Sequence, residues 1–126
     1  MDVRYSGVGS TSVRVCLDSL NSLGRSEGYD EVVTLLGPLT GNLHVKDYTI
    51  RRVDHRLGFV VEGRPAGDGD LPFDDLLTRV PDTMSAIVEL WTPWQGSLDA
   101  TIELEARWAQ QSTAALRDAI GRRKTK

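Results

Sequence analysis

Asp18, His44 and Glu89 are the residues of this chain whose types and settings suggest chemistry, because each stands at or near the end of a short apolar run. Asp18 closes Val13-Arg14-Val15-Cys16-Leu17, His44 lies in Asn42-Leu43-His44-Val45-Lys46-Asp47, and Glu89 lies in Ala86-Ile87-Val88-Glu89-Leu90-Trp91. Two carboxylates and one imidazole make an oxygen-rich donor set with a single nitrogen. A hard or borderline divalent ion such as Mn2+, Mg2+ or Co2+ suits that set better than structural Zn2+, which takes closed Cys/His tetrahedra. The same residues fit a plainer reading, with Asp18 and Glu89 as polar strand ends and His44 as a hydrogen-bonded histidine. Spacing alone does not choose between the two.

The elements that must position these residues follow from periodicity. Residues 1–12 carry turn formers and hydroxyls without a pattern and read as an irregular lead-in. Val13 to Asp18 is β-branched and apolar, which predicts a buried strand on which Cys16 shares the side of Asp18 and belongs to the core. A loop with Asn21, Ser22, Gly24 and Gly28 leads to a helix beginning at Tyr29, with Asp30 and Glu31 in its first turn and Val32, Val33, Leu35, Leu36 and Leu39 at helical spacing. Pro38 shortens its last turn. Asn42 to Asp47 predicts a second strand. The connection from Tyr48 to Leu71 is too long for an idle loop, and Phe59-Val60-Val61 within it has the character of a small strand. Leu71-Pro72-Phe73-Asp74-Asp75 opens a short helix, and Ala86 to Trp91 predicts a third strand closed by Thr92-Pro93. Ser97 then caps a helix with Leu98, Ile102, Leu104, Ala106, Trp108, Ala109, Ala115, Leu116 and Ile120 on its apolar face. Gly121 is expected to end it, leaving 122–126 as a solvated basic tail.

Strand, helix, strand, helix, strand, helix is the order of an α/β domain with parallel strands joined by right-handed crossovers. In that architecture ligands bind beyond the carboxyl ends of the strands, so Asp18, His44 with Asp47, and Glu89 are expected to converge on one edge of the sheet. Composition agrees with a globular domain: 126 residues, 40% hydrophobic and 26% charged. A single cysteine permits no disulfide within the chain and suits a reducing cytoplasm. A net charge of -3 gives no field to hold a phosphate backbone, which argues against nucleic acid. No apolar run approaches the roughly 20 residues that cross a bilayer, so no membrane association is expected.

Several stretches, in this order and spacing, resemble the sugar phosphate isomerase/epimerase family, the xylose-isomerase-like TIM barrels. They are Cys16-Leu17-Asp18-Ser19-Leu20-Asn21-Ser22, Leu43-His44-Val45-Lys46-Asp47, Gly63-Arg64-Pro65-Ala66-Gly67-Asp68-Gly69, Val88-Glu89-Leu90-Trp91-Thr92-Pro93 and Glu105-Ala106-Arg107-Trp108. The His-x-Lys-Asp strand end and the Gly-x-Gly after a long connection are the most specific of them. The resemblance runs from Val13 to about Leu116 and implies a partial (β/α) TIM barrel, about three C-terminal βα units with parallel strands.

The resemblance implies that Asp18, His44 and Glu89 are the metal ligands at the ends of the sixth, seventh and eighth barrel strands, holding Mn2+, Co2+, Mg2+ or Zn2+. It implies Glu89 as a catalytic acid or base beside a metal-chelated carbonyl, and a sugar or sugar phosphate as substrate. The family's fourth ligand, a Glu on the fifth strand, has no counterpart before Val13. Asn21 stands where ketose epimerases of the family carry a substrate-binding His. Lys46 is expected either to orient substrate oxygen or to pair with Asp47. Arg51 or Arg52 falls near a substrate-facing Arg of the family, while Trp91 and Trp94 are read as packing residues that would also wall a sugar site. The implied activity is a metal-dependent isomerase or epimerase of carbohydrate metabolism. The alternative is a non-catalytic C-terminal barrel piece with a weak metal site. An AP-endonuclease-like enzyme, for which Asp54 and His55 would supply extra zinc ligands, ranks below both. Exposed sheet edges predict a homo-oligomer or completion by an N-terminal half.

Overall fold

The computed structural model describes residue 10 and residues 12–123, so most of the lead-in and residues 124–126 of the basic tail lie outside the described residues. Three parallel strands form the central sheet: β1 (Val15–Asp18), β2 (Thr40–Val45) and β5 (Ser85–Val88), in the order β1-β2-β5. The crossover from β1 to β2 carries α1 (Tyr29–Leu36), and α2 (Phe73–Thr78) precedes β5. The long helix α3 (Leu98–Arg123) closes the chain. The α/β reading with parallel strands therefore holds.

The register brings the three strand ends together. Asp18 pairs with His44, His44 with Ile87, and Val45 with Val88. The backbone N–H of Glu89 still donates to the carbonyl of Val45 at 3.0 Å, extending the ladder one residue beyond β5. Alternation then sends Leu17, Leu43 and Val45 to one face, where they are buried in a core shared with Val33 of α1, Leu76 and Leu77 of α2, and Leu116 and Ala119 of α3. Burying each such leucine or valine contributes about 2 kcal/mol, and these contacts fix the sheet against its helices.

No layer covers the opposite face among the described residues. Cys16 is exposed there, donating to Asn42 Oδ1 at 3.5 Å, while the Asn42 amide donates to Ser85 Oγ at 2.7 Å. Ile87, on the same face, is 51% exposed. The expectation that Cys16 belongs to the core is thus corrected: it does share the side of Asp18, but that side is the open one.

The second strand ends at Val45, not at Asp47. Lys46 alone turns the chain, and Asp47 begins an antiparallel hairpin of β3 (Asp47–Arg52) and β4 (Phe59–Arg64). The β-branched residues Thr49, Ile50, Val60 and Val61 account for the pairing, and the predicted strand at Phe59-Val60-Val61 proves longer and partnered. His55, at φ 57°, and Gly58, at φ 148°, form its turn.

Two further boundaries move. The third strand stops at Val88, and Glu89 to Trp91 run on beyond it. Helix α3 passes through Gly121 to Arg123. Arg122 pairs with Asp74 and Arg123 with Asp82, each at 2.8 Å, which offsets the roughly 1 kcal/mol that a helical glycine costs. The expected apolar face of α3 is buried only from Ser112 onward; Leu98 and Ile102 remain 63% and 54% exposed.

Candidate metal centre

At the carboxyl edge of the sheet, Asp18, His44 and Glu89 each offer a donor atom, and these atoms lie within 4.8 Å of one another. Two ligands on opposite sides of a first-row ion stand about 4 Å apart, so small side-chain adjustments bring the three into range. One imidazole nitrogen and two carboxylates form a group able to hold a divalent metal ion. Asp47, expected at the same edge of the sheet, is not part of it.

Local structure fixes Asp18 first. Its Oδ1 accepts the backbone N–H groups of Leu20 and Asn21, both at 2.9 Å, in the turn that leaves β1. That leaves Oδ2 to face the site, where the Lys46 ammonium lies 3.0 Å away. Burial alone pushes the Asp18 carboxyl upward, but the Leu20 N–H, the Lys46 ammonium and the Asn21 N–H together hold it below the ordinary carboxylate value.

Lys46 is the residue whose role the structure changes most. Its side chain is 7% exposed, and its Nζ also lies 3.0 Å from Glu89 Oε1 and 3.3 Å from Asn21 Oδ1. The Trp91 ring stands 5.8 Å from the same nitrogen. Burial lowers the Lys46 pKa, and the two carboxylates more than reverse that, leaving it raised. Of the two roles open to Lys46, the pairing with Asp47 does not occur; the ammonium faces Asp18 and Glu89 instead. Ser19, which sequence reasoning passed over, pins the turn: its hydroxyl donates to the Lys46 carbonyl at 2.7 Å and accepts the Lys46 N–H at 2.8 Å. Ser19 directly follows Asp18, so a small hydroxyl residue just past the end of β1 was the available signal.

Asp47 is instead a structural carboxylate. Only 3% exposed, it accepts the N–H groups of Tyr48 and Leu71 on one oxygen and those of Gly67 and Gly69 on the other. The Gly67-Asp68-Gly69 loop thus wraps an internal anion, and a Cβ at Gly69 would strike the Asp47 carboxylate. Its N–H groups are not free to cradle phosphate.

His44 Nδ1 lies 3.1 Å from Glu89 Oε2, so the imidazole and the carboxylate orient each other. Glu89, with a side chain 44% exposed, is the most accessible of the three donors. Of the other candidates, Asn21 and Trp91 join the site through Lys46. Trp91 and Trp94 are 51% and 65% exposed, not packed in a core. Arg51 and Arg52 lie on the exposed end of β3; Arg51 faces Glu62 at 3.7 Å, and neither reaches the cluster. Asp54 and His55 sit in the hairpin turn and add no donor to it. No helix among the described residues is long and apolar enough to cross a membrane.

Comparison with curated proteins adds one relationship. The chain is 33% identical over 108 residues to a 3-oxo-isoapionate decarboxylase of Pectobacterium atrosepticum, an overlap covering 83% of this chain and 39% of that enzyme. The chain therefore spans well under half the length of this relative. No family model matches the chain.

Proposed function

We propose that this chain forms the metal-holding part of an enzyme that acts on a sugar-derived carbonyl compound. The observation that carries the reading is the meeting of Asp18, His44 and Glu89 within 4.8 Å at the carboxyl ends of adjacent parallel strands. A divalent ion held by the three would act as a Lewis acid toward a substrate carbonyl. Around it, Asp18 is fixed by backbone N–H groups, His44 and Glu89 orient each other, and Lys46 presents a positive charge. Trp91, half-exposed with its ring 5.8 Å from the Lys46 ammonium, would supply a wall suited to the apolar face of a polyol, and the exposed Trp94 follows in the same segment.

Two reaction types share this requirement. In isomerisation or epimerisation Glu89 takes the proton from the carbon next to the carbonyl, and the C–H electron pair moves toward the carbonyl oxygen. In decarboxylation of a 3-oxo acid the pair comes from the bond to the departing CO2. The similarity to a decarboxylase supports the second course, and the resemblance of the His44-Val45-Lys46-Asp47 strand end to isomerases supports the first.

The strand order and one uncovered sheet face support reading the fold as about three C-terminal βα units of a TIM barrel. Further strands, from a second copy or from an N-terminal half, would then complete the barrel. A plainer reading is favoured by one observation, Lys46 at 3.0 Å from both carboxylates, which makes the cluster a structural salt-bridge network.

Titration with Co2+ separates the readings. A bound ion with a histidine ligand gives visible absorption bands that His44→Ala abolishes and Arg52→Ala leaves intact. Spectra matching free aqueous Co2+ at saturating protein would rule out the metal reading and leave the structural one.

A further inference from the structure

We infer that Lys46 couples the metal to an anionic ligand, so that the ion and the carboxylate of a substrate oxo or hydroxy acid bind each more tightly in the other's presence. The inference rests on the metal reading above and extends it to the charge class of the substrate. It follows from a competition for specific oxygen atoms. Asp18 Oδ1 is occupied by the N–H groups of Leu20 and Asn21, so Oδ2 is the oxygen that both Lys46 and an ion need. Glu89 is divided in the same way, with Oε2 against His44 and Oε1 against Lys46. An ion taking these carboxylates displaces the ammonium from Asp18 Oδ2 and, by drawing charge from Glu89 through Oε2, weakens the counter-charge that Oε1 offers it.

Lys46 cannot then simply retreat to water. Its side chain is 7% exposed, and what remains beside it, apart from a Glu89 carboxylate whose charge the ion has drawn off, is one neutral partner, Asn21 Oδ1, and the face of Trp91. A buried ammonium with no counter-ion is strongly unfavourable. Two carboxylates against a divalent ion and an ammonium leave one positive charge in excess. A ligand carboxylate beside the ion neutralises that excess and restores a charged partner to Lys46. A neutral polyol supplies hydroxyl oxygens to the ion but nothing to the ammonium. Linkage then makes the effect reciprocal: whatever the anion adds to metal affinity, the metal adds to anion affinity.

Calorimetric titration of the full chain with Mn2+ tests this, using glycolate as the anionic probe and ethylene glycol as a neutral one of the same carbon skeleton. Saturating glycolate should lower the Mn2+ Kd at least tenfold, and ethylene glycol less than twofold. In Lys46→Met the glycolate effect should fall below twofold, and Mn2+ alone should bind more tightly than to the parent chain because its competitor is gone. Lys46→Gln, which keeps a hydrogen-bond donor without the charge, should behave likewise and serves if the methionine variant does not fold. Mn2+ binding that is indifferent to glycolate, or equally enhanced in the uncharged variants, overturns the role of Lys46 while the metal site stands. Absence of Mn2+ binding under every condition overturns both.

Discussion

The Lys46 ammonium lies 3.0 Å from Asp18 Oδ2 and 3.0 Å from Glu89 Oε1, so a single side chain ties the end of the first strand to the residue that follows the last. Only the central strand separates them, and Lys46 emerges from that strand's end. Electrostatics at the site is therefore also a clamp on the sheet.

Removing the clamp should cost stability when no metal is present. Lys46→Met leaves two carboxylates facing each other, one of them largely buried. We expect a loss of about 2 kcal/mol, below the range for a fully buried pair because Glu89 is 44% exposed. Urea unfolding would show it, and an unchanged midpoint would mean that the pair carries no net stabilisation.

Mn2+ or Co2+ should raise the melting temperature. At about 100 times its Kd a single bound ion stabilises by about 2.7 kcal/mol, or about 10 °C in a domain of this size. Glu89→Gln should abolish most of the rise. A melting curve that metal does not move would count strongly against the site.

Asp47 should matter for folding and not for metal. Asp47→Ala deprives four backbone N–H groups of their acceptor, a loss of about 3 kcal/mol. Limited proteolysis should then cut the loop between Pro65 and Leu71. If the variant melts like the parent chain, the loop does not depend on that carboxylate.

Tyr29 sets an alkaline limit. Burial and the Asp75 carboxylate, which accepts its hydroxyl at 3.0 Å, raise the phenol well above its ordinary value of 10.0. The folded state thus keeps a proton that the unfolded chain releases, so this contribution is intact below about pH 10 and declines as pH climbs further. Tyr29→Phe should flatten the fall in stability on the alkaline side. An identical alkaline slope in the variant would show that other groups set it.

Completion of the sheet by further strands predicts association. Sedimentation of the chain should give a species heavier than 13.9 kDa. A clean monomer would remove self-association and leave strands from a longer polypeptide as the means of completion.

The candidate donor residues were legible because the strands are: short apolar, β-branched runs place Asp18, His44 and Glu89 at or near their carboxyl ends without knowledge of the register, although the second and third strands stop at Val45 and Val88, earlier than the runs suggest. The division of labour between Lys46 and Asp47 was not. Adjacent charged residues after a strand differ only in where the chain turns, and here one residue of turn sends Lys46 into the site and Asp47 under the glycine loop. Cys16 was misplaced for a different reason. Parallel strands usually have both faces covered, so an apolar run carries no sign that one face stands open. The end of α3 was obscured because Gly121 is tolerated by ion pairs to Asp74 and Asp82, partners about 40 to 50 residues away in sequence.

The three candidate donors come from positions 18, 44 and 89, at the ends of strands joined only through helices and a hairpin. No short stretch of chain can assemble them, and their meeting requires nearly all of the long-range pairing to be in place. Constellations of this kind form late, after loop-closure entropy has been overcome across most of the molecule. Ion capture would consequently mark the end of folding and not its beginning, and newly made chains would discriminate poorly among ions until the last strand had docked.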